Sequence, residues 1–490
     1  MTLKFQVSGA DSIIFYSDKV ISYCMIPLKF LKSKKVVLSS VDSPRRDLGW
    51  RLLLAKNLAE QGVTTVLGKP HDIFLVLSLL RGALIFGRFG GNTGRGRFDS
   101  DFIKQMELTH SSMYFLHDEG AFYFNDEYEA AVKRIYPEEF FSRPFLKKVY
   151  FWGERQRSIF RDVYDDCSLE ISGAPRLDYL RFLLTRKAAE KSEFQNRKKN
   201  YVLICSRFAG ISPAKDDVSL ISDSFLNIRI QTEGLGKESE GDLFREQVKR
   251  WCAVSIDRAR FIDAVYDLAR ANPDTDFLFR PHPGEDASLY RTLYRFLANV
   301  TVDKSGDLSE VLQGASLFIH SESTSGVEAA VIGVPSINFS TRDDDGYTIA
   351  GASEIGEVVR DASELEKAFR KLLFDPKSSL CEDAEILFPY VKNSKAEFNA
   401  INKICFDINK SFRSNNTEFK ISARALKNNF LFYFFRKMVY RLKSIIFKVG
   451  RDDKAEGFRK ASVHSQWLKL EGGSASIKVS SGLIFVFPNR

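Results

Sequence analysis

Short apolar runs alternate with amphipathic stretches along most of this chain, and this alternation limits what it can fold into. Helix-like segments such as Asp47–Glu60 and Phe98–Leu108 separate runs that have the length of buried strands. In the first part of the chain these runs are Val36–Leu38, Thr64–Leu67, Ala83–Phe86, Met113–Leu116, Val149–Phe151 and Leu169–Ile171. Buried strands that are joined by helices indicate βαβ units and a parallel sheet.

The alternation restarts after a charged stretch at residues 186–200, and a polar segment at 207–241, predicted to be a loop, interrupts it. Further strands are predicted at Tyr201–Cys205, Phe277–Phe279, Val300–Val302, Leu317–Ile319 and Ser336–Phe339. The pattern therefore predicts an α/β protein with two doubly wound domains, residues 1–190 and 200–380. Residues 381–490 are predicted to form a C-terminal extension.

Cysteine usage and hydropathy indicate where the protein works. The six cysteines are isolated and form no CxxC pair, which favours a reducing compartment over a disulfide framework or a structural zinc site. The first 20 residues lack the pattern of an export signal, and no apolar run reaches the roughly 18–20 residues that span a bilayer. We therefore expect a cytoplasmic protein.

The positive charge of the chain is concentrated in one segment. Residues 410–451 contain eleven Lys and Arg and one acid, Glu418, which gives +10, so the rest of the chain carries −1 of the total of +9. Within it, aromatic and aliphatic residues are interleaved with cations from Asn428 to Val449. This composition predicts a basic amphipathic helix at an anionic membrane surface. The alternative is a helix that packs on the body or in an oligomer interface. No base-reading module accompanies the charge, so no nucleic acid partner is expected.

A histidine between two prolines follows the predicted strand Phe277–Phe279. In the sequence Arg280-Pro-His282-Pro283-Gly, the prolines restrict the backbone on both sides of His282. His282 and Arg280 are suited to contact a phosphate or to stabilise the charge on a leaving nucleotide. The alternative is a turn in which His282 caps a helix.

Three hydroxyl residues and a glycine follow the predicted strand Leu317–Ile319 and open a helix. Ser323, Thr324 and Ser325, with the backbone N–H groups of a helix N-terminus, predict a site for the phosphate of a donor. Glu328, one turn further, is placed to hold ribose hydroxyls. The spacing from Ser325 to Glu328 also fits an ordinary capping box.

Two adjacent carboxylates, Asp118 and Glu119, follow the predicted strand Met113–Leu116 and precede Gly120. Such a pair at a strand end is suited to supply a general base for an acceptor hydroxyl, and burial beside a like charge would raise one pKa. A solvated turn is the alternative interpretation. Because ligands of open α/β sheets bind outside the carboxyl ends of the strands, we expect this turn and the His282 turn to face one crevice.

Four further features are weaker. Asp178 follows the predicted strand Leu169–Ile171 and is a candidate second carboxylate of the crevice, while Arg207 follows Tyr201–Cys205 and is a candidate additional cation. The glycine-rich stretch 87–97 lacks the pattern of a phosphate-binding P-loop and is predicted to be a cationic or simply mobile loop. Asp343–Asp345 are more typical of an exposed turn than of a metal site, and no metal or cofactor is predicted.

Together these motifs resemble those of bacterial sialyltransferases and Kdo transferases, and their context resembles the surface carbohydrate biosynthesis protein family. The context comprises HDEGAFYFNDEY, YFWGERQ, SGAPRLDYL, FRPHPGE and HSESTSGVEAAVIGVPSINF. The resemblance implies a GT-B fold, in which two Rossmann-like domains face a cleft, and a metal-independent glycosyltransferase. It implies that Asp118, with Glu119 beside it, is the base, that His282 assists departure of CMP, and that Ser323 and Thr324 hold the donor phosphate, with Pro283 in the same donor-binding motif.

The expected activity is transfer of an acidic sugar from a CMP-activated nucleotide-sugar donor to a glycan or lipid-linked acceptor during surface polysaccharide synthesis. Three alternatives remain open at the level of the sequence. They are a CDP-glycerol-type polyol-phosphate transferase, a nucleotide-sugar epimerase, and an assembly factor that keeps the fold without turnover.

Overall fold

The structure, a computed structural model, describes most of the two predicted domains. The described residues are 4–8, 12–16, 35–42, 44–88, 100–118, 121–136, 141–162, 168–190, 201–211, 240–341, 348–374, 380–414, 420–421, 463, 466–468, 470, 475–480 and 483–488. The glycine-rich stretch beyond Arg88, the polar segment 212–239 and Asp343–Asp345 lie outside these residues.

The strands are numbered in chain order. They are β1 (Lys4–Ser8), β2 (Ser12–Tyr16), β3 (Val36–Ser40), β4 (Thr64–Gly68), β5 (Leu80–Arg81), β6 (Leu84–Phe86), β7 (Ser112–Leu116), β8 (Leu146–Phe151), β9 (Ser168–Ile171), β10 (Tyr201–Cys205), β11 (Asp276–Arg280), β12 (Val300–Val302), β13 (Ala315–His320), β14 (Ser336–Phe339), β15 (Glu357–Val359), β16 (Lys420–Ile421), β17 (Ala475–Ser480) and β18 (Leu483–Pro488).

The α-helices are numbered in the same way, and short 3₁₀ turns lie at Asn125–Glu127, Ser158–Phe160, Ala352–Glu354 and Lys392–Ser394. The helices are α1 (Pro44–Glu60), α2 (Pro70–Leu79), α3 (Ser100–Thr109), α4 (Tyr128–Ile135), α5 (Glu154–Arg157), α6 (Pro175–Glu190), α7 (Glu240–Ala271), α8 (Ala287–Leu293), α9 (Leu308–Leu312), α10 (Thr324–Ile332), α11 (Ala362–Phe374), α12 (Leu380–Leu387) and α13 (Ala400–Ser414).

The first domain is built on a sheet with the strand order β17–β18–β4–β3–β6–β7–β8–β9. The strands from β4 to β9 in this order run parallel, and β3 and β4 are buried at every position. Burial on both faces explains why these strands are continuous apolar runs. The chain adds β4 on one side of β3 and β6 on the other, so the loops that leave β3 and β6 diverge. Such a switch point is where this type of sheet binds ligands.

The second domain is built on a parallel sheet with the strand order β12–β11–β10–β13–β14–β15. In chain order this is 3-2-1-4-5-6, the arrangement of dinucleotide-binding domains, with its switch point between β10 and β13. Separate apolar cores cover its two faces, one formed with α7 and α11 and the other beneath α9 and α10. The two sheets confirm the predicted α/β fold with two Rossmann-like domains. Each predicted strand lies in one of these two sheets.

The C-terminal part of the chain returns to the first domain. Strand β18 pairs antiparallel with β4, so the hairpin β17–β18 extends the first sheet at its edge. Helix α13 buries Ile404 and Ile408 in the core of the first domain. The region that the sequence predicts as an extension therefore supplies structural elements of the first domain.

A cluster of charged side chains helps to hold α13 on the first sheet. Glu170 of β9 accepts hydrogen bonds from Lys148 of β8 at 2.8 Å and from Lys403 of α13 at 2.6 Å. Asp407 accepts from the Tyr150 hydroxyl at 2.9 Å. Desolvation raises the pKa of Glu170, but the hydrogen bonds from the two lysines outweigh it and lower that pKa to about 2.

The predicted basic membrane segment lies almost entirely outside the described residues, which include only 410–414 and 420–421 of the range 410–451. Among the helices that the structure describes, none combines the length and the hydropathy needed to cross a bilayer. The membrane contact of residues 410–451 stays a prediction.

Candidate active site

Polar side chains collect at the carboxyl edge of the second sheet, around its switch point. Ser206 and Arg207 follow β10, His282 follows β11 by two residues, and Glu322 follows β13 by two residues. Because neighbouring parallel strands end at the same edge, these side chains come from sequence positions more than a hundred residues apart. This edge is the expected place for a donor ligand.

The His282 imidazole is held in one orientation and one tautomer. Its backbone N–H donates to the Ser206 hydroxyl at 3.2 Å, and its ring Nδ1 accepts from the Gly284 N–H at 3.1 Å. The neutral ring therefore carries its proton on Nε2. Desolvation, aided by the Lys304 ammonium, lowers the pKa of His282. His282 is itself an exposed residue, so its neutral ring presents an N–H donor at this sheet edge.

The loop that carries His282 is anchored by Glu285, which sequence reasoning missed. Glu285 is fully buried and accepts hydrogen bonds from the Ser206 hydroxyl at 2.9 Å and from the Tyr290 hydroxyl. The Lys304 ammonium donates to the backbone carbonyls of Pro283 at 3.0 Å and Glu285 at 2.7 Å. The only sequence signal was its place directly after the His-Pro-Gly motif.

Arg280 braces a neighbouring loop. Its Nη2 donates to the carbonyl of Gly306 at 2.8 Å and its Nη1 to that of Ser305. The guanidinium is thus engaged with main chain, which the sequence did not predict. The phosphate contact expected of Arg280, and that of Pro283 beside the exposed imidazole, stay predictions.

The predicted helix N-terminus is present. Helix α10 begins at Thr324, and the N-cap is Ser323, whose hydroxyl accepts from the Ser325 N–H at 3.3 Å. The Ser325 hydroxyl donates to the Ser323 hydroxyl at 2.7 Å, and Thr324 is exposed. The hydroxyl residues therefore cap the helix, but the N-cap is Ser323 and not Ser325, so the capping box from Ser325 to Glu328 is not the cap that forms. Their contact with a donor phosphate stays a prediction.

His320, a second residue that the sequence analysis passed over, supports this helix from beneath. Its Nδ1 accepts from the Ser323 N–H at 3.2 Å, and a Cβ atom at Gly326 would lie 2.7 Å from the ring. The first turn of α10 can therefore rest on the imidazole only because residue 326 is glycine. Burial lowers the pKa of His320 to about 3, with a further contribution from Arg207, so the ring is neutral.

Arg207 forms a buried ion pair at the switch point itself. Its Nη2 lies 2.7 Å from Glu322 Oε2, and the other oxygen of Glu322 accepts from the Ser340 hydroxyl at 2.6 Å. Glu322 has a φ of 46°, a conformation that glutamate rarely adopts. Strain of this kind is concentrated at ligand sites. Arg207 is thus engaged with Glu322, and its role as an additional cation of the site stays a prediction.

In the first domain Asp118 follows β7 by two residues and forms a buried ion pair with Arg51. Both oxygens of Asp118 accept from Arg51 Nη2, at 2.8 and 2.9 Å, and the side chains are 2% and 0% exposed. Arg51 Nη1 donates to the Ser39 hydroxyl at the end of β3. Gly87 has a φ of 103°, and a Cβ there would lie 2.8 Å from Arg51 Nη1. The pair thus sits at the switch point of the first sheet.

Burial raises the pKa of Asp118 to about 6, although the Arg51 guanidinium opposes the shift. A carboxylate with this pKa is ionised at neutral pH and is suited to take up a proton. Its partner Glu119 lies outside the described residues. Arg51 was missed, and its signal was a cation inside the otherwise apolar run Trp50–Leu54.

Segments beyond the carboxyl edges of the two sheets contact each other. The segment that follows the Asp118 motif pairs with residues beyond β14, since the Asn125 N–H donates to the Thr348 carbonyl and the Ala350 N–H to the Tyr123 carbonyl, each at 2.9 Å. Nearby, Arg250 of α7 lies 3.1 Å from Glu127. That the Asp118 turn and the His282 turn border one crevice stays a prediction.

Two predicted site residues have other roles. Glu328 forms an ion pair with Arg176 of α6, so it joins the two domains instead of awaiting a ribose. Asp178 accepts from the Asn393 amide at 2.7 Å and from the Ile401 N–H at 2.9 Å. It therefore fastens the returning C-terminal segment and is not a second carboxylate of the crevice. Burial raises its pKa to about 6.

Two Rossmann-like domains around a shared crevice define the predicted GT-B class. No protein-family model and no curated protein sequence matches the chain. Among solved structures it is similar to the UDP-GlcNAc 2-epimerase of Neisseria meningitidis bound to UDP-GlcNAc, with 12% identity, 77% of this chain and 99% of that chain covered, and a TM-score of 0.44. For the UDP-GlcNAc 2-epimerase of Methanocaldococcus jannaschii the identity is 10%, 76% of this chain and 99% of that chain are covered, and the TM-score is 0.43.

The chain is also similar to the wall teichoic acid polymerase TagF, with 13% identity, 79% of this chain and 91% of that chain covered, and a TM-score of 0.45. Because these TM-scores are below 0.5, we base no conclusion on them. The fold is defined by the strand orders of the two sheets.

Proposed function

We propose that the protein is a metal-independent glycosyltransferase that moves a sugar from a nucleotide-activated donor to a hydroxyl of a glycan or lipid-linked acceptor. Two complementary groups, each at the carboxyl edge of one sheet, support the proposal. One edge presents His282 as a rigid neutral donor, and the other holds Asp118 as a carboxylate with a pKa of about 6.

On the donor side, the second domain offers hydrogen-bond donors for a phosphate. The Nε2–H of His282 is exposed, and α10 begins with three hydroxyl residues at the positive end of its dipole. When the bond between the anomeric carbon and the phosphate oxygen breaks, negative charge develops on that oxygen. Fixed donors that bind it there accelerate departure by electrostatic stabilisation.

On the acceptor side, Asp118 takes the proton of the attacking hydroxyl while its oxygen bonds to the anomeric carbon. Arg51 holds the carboxylate in place and keeps it ionised, because it opposes the effect of burial on the pKa. Glu119 is the other candidate for the base. Proton, sugar and leaving nucleotide are then all accounted for without a bound cofactor.

The motif resemblance supports a CMP-activated donor with an acidic sugar, and a place in surface polysaccharide synthesis. The proposal includes peripheral attachment to the inner membrane through residues 410–451, whose net charge of +10 favours anionic lipid.

The test is nucleotide release from CMP-, UDP- and CDP-activated donors, with and without glycan acceptors, by the purified protein. We expect turnover with a CMP-sugar and a loss of about 10²–10³ in kcat for His282→Asn, the magnitude of one lost transition-state donor. His110 is the matched control, since it is exposed and lies before β7, at the opposite edge of the first sheet. His110→Asn should keep full activity, because asparagine tolerates the φ of 48° at that position.

Each alternative gives a distinct result. Incorporation of phosphorus from a CDP-polyol donor would replace the glycosyl assignment by polyol-phosphate transfer. Conversion of a nucleotide sugar without an acceptor would indicate an epimerase. Binding without any turnover, or full activity of His282→Asn, would contradict the proposed mechanism.

A further inference from the structure

Helix α7 is longer than the sheet on which it packs. It has 32 residues, about 48 Å at 1.5 Å per residue, whereas the longest strand of the second sheet has six residues, or about 20 Å. Since α7 follows β10 in the chain, its N-terminal half projects beyond the carboxyl edge. There Arg250 lies 3.1 Å from Glu127 and 4.5 Å from the centre of the Phe124 ring.

The inward face of α7 changes character along its length. Every third or fourth residue from 243 to 261 lies on this face and is buried. Over the sheet the face is apolar, with Phe261, Val265 and Leu268 in the second core. Beyond the sheet the face is mixed, because Gln247 and Arg250, each less than 5% exposed, lie between the buried side chains of Leu243 and Val254. A helix that merely packed against another domain would keep an apolar face, because polar burial is costly.

Two side chains on this projecting part have unmet hydrogen-bonding capacity. Gln247 is 2% exposed, yet neither its Oε1 nor its Nε2 has a hydrogen-bond partner in the described chain. One turn further, the Nε1 of Trp251 is also buried without a partner there. Buried polar groups are nearly always satisfied in native proteins, so two such groups on adjacent turns call for an explanation.

We infer that Gln247 and Trp251 form a subsite that recognises hydroxyl groups of the acceptor glycan. The subsite flanks Arg250, which contacts the loop that follows the Asp118 motif, and it therefore lies on the acceptor side of the crevice. An amide supplies both a donor and an acceptor, and an indole supplies a donor, which matches sugar hydroxyls. The identity of the ligand rests on the proposed glycosyl transfer.

Gln247→Leu removes the amide with little change in volume. If the buried amide finds a hydrogen-bond partner only when a ligand is bound, its removal should stabilise the protein in the absence of substrate. We therefore expect the Tm of this variant to be higher than that of wild type by about 2–4 °C. Gln313 is the matched control, since its two side-chain atoms are also buried without partners but it lies before β13, away from the crevice. Gln313→Leu should raise Tm without affecting ligands.

Calorimetric titration with lactose, chitobiose and sialyllactose measures the binding itself. We expect at least one of these to bind wild type and Gln313→Leu equally, and to bind Gln247→Leu and Trp251→Phe at least tenfold more weakly. Donor hydrolysis by water should stay within twofold of wild type in Gln313→Leu. A lower Tm for Gln247→Leu, unchanged affinity, or no binding of the three glycans to wild type overturns the inference. Glycan binding that depends on Gln247 without any donor cleavage would instead contradict the proposed transferase activity and support the glycan subsite.

Discussion

Replacement of Arg51 by methionine tests how the first sheet holds its carboxylate. The variant keeps most of the side-chain volume and removes the two hydrogen bonds of 2.8 and 2.9 Å to Asp118, whose side chain is only 2% exposed. The remaining carboxyl group must either stay ionised without a partner or take up a proton. In both cases the folded state loses stability at neutral pH.

The magnitude follows from the pKa of Asp118. With Arg51 present, that pKa is raised from 3.8 to about 6, which corresponds to about 3 kcal/mol. Between these pH values the folded state binds more protons than the unfolded state, so this group lowers stability as pH rises, and the loss is complete above 6. Without Arg51 the folded pKa rises further and the loss continues to higher pH. Removal of one partner from a buried pair costs about 3–5 kcal/mol.

The assay is thermal unfolding of wild type and Arg51→Met between pH 5 and pH 8. We expect a small difference in Tm at pH 5 that grows with pH, to about 6–20 °C at pH 8 if each kcal/mol shifts Tm by about 2–4 °C. The double variant Arg51→Met/Asp118→Leu should recover most of the stability that Arg51→Met loses at pH 8, because it has no buried charge left unpaired. An equal deficit at pH 5 and pH 8, or a double variant as unstable as the sum of the single ones, would refute the reasoning.

Three further outcomes are expected. Because Asp118 must be ionised to act as the base, kcat/KM for transfer should rise with pH through about 6 and then level off, and a rate that falls from pH 5.5 to 7.5 would exclude this role. Hydrogen bonds from lysines overcome desolvation and lower the pKa of Glu170 to about 2, so its stabilisation is present above about 4.5 and is lost as pH falls towards 2. Acid unfolding should show a loss of about 1–2 kcal/mol in wild type, reduced by partial exposure, that Glu170→Gln lacks. Gly326→Ala places a methyl group 2.7 Å from the buried His320 ring, so Kd for the product nucleotide should rise at least tenfold while Gly241→Ala, in an open position, changes nothing.

The sequence predicted those features that local pattern determines. Buried parallel strands are continuous apolar runs, so β7 and β11 could be placed, and with them the strand ends before Asp118 and His282. The start of α10 was visible because helix N-termini require capping side chains. The motif residues therefore lie on the sheet edges that were predicted for them.

Pairings between distant parts of the chain could not be predicted. Asp178 follows a strand end and was therefore assigned to the crevice, whereas its partners Asn393 and Ile401 lie more than two hundred residues later. Glu328 similarly found a partner, Arg176, in the other domain. No local sequence pattern distinguishes a carboxylate that binds a ligand from one that is hydrogen-bonded or ion-paired to a distant part of the chain. The pairing of β18 with β4 was missed for the same reason, because β4 lies about four hundred residues earlier.

The two sheet edges differ in how they hold charge, and the difference bears on the order of events in a transfer. At the second edge, Arg207 is paired with Glu322 and Arg280 donates to carbonyls, while His282 and His320 have lowered pKa values. In the proposed transfer, neutral N–H donors and a helix dipole would therefore bind the leaving anion there, and their contribution would be largest when charge develops in the transition state. The first edge instead keeps a carboxylate whose raised pKa favours proton uptake at that same moment. In the proposed transfer, attack and departure would thus be assisted by groups on separate domains, and domain closure would bring both to one substrate.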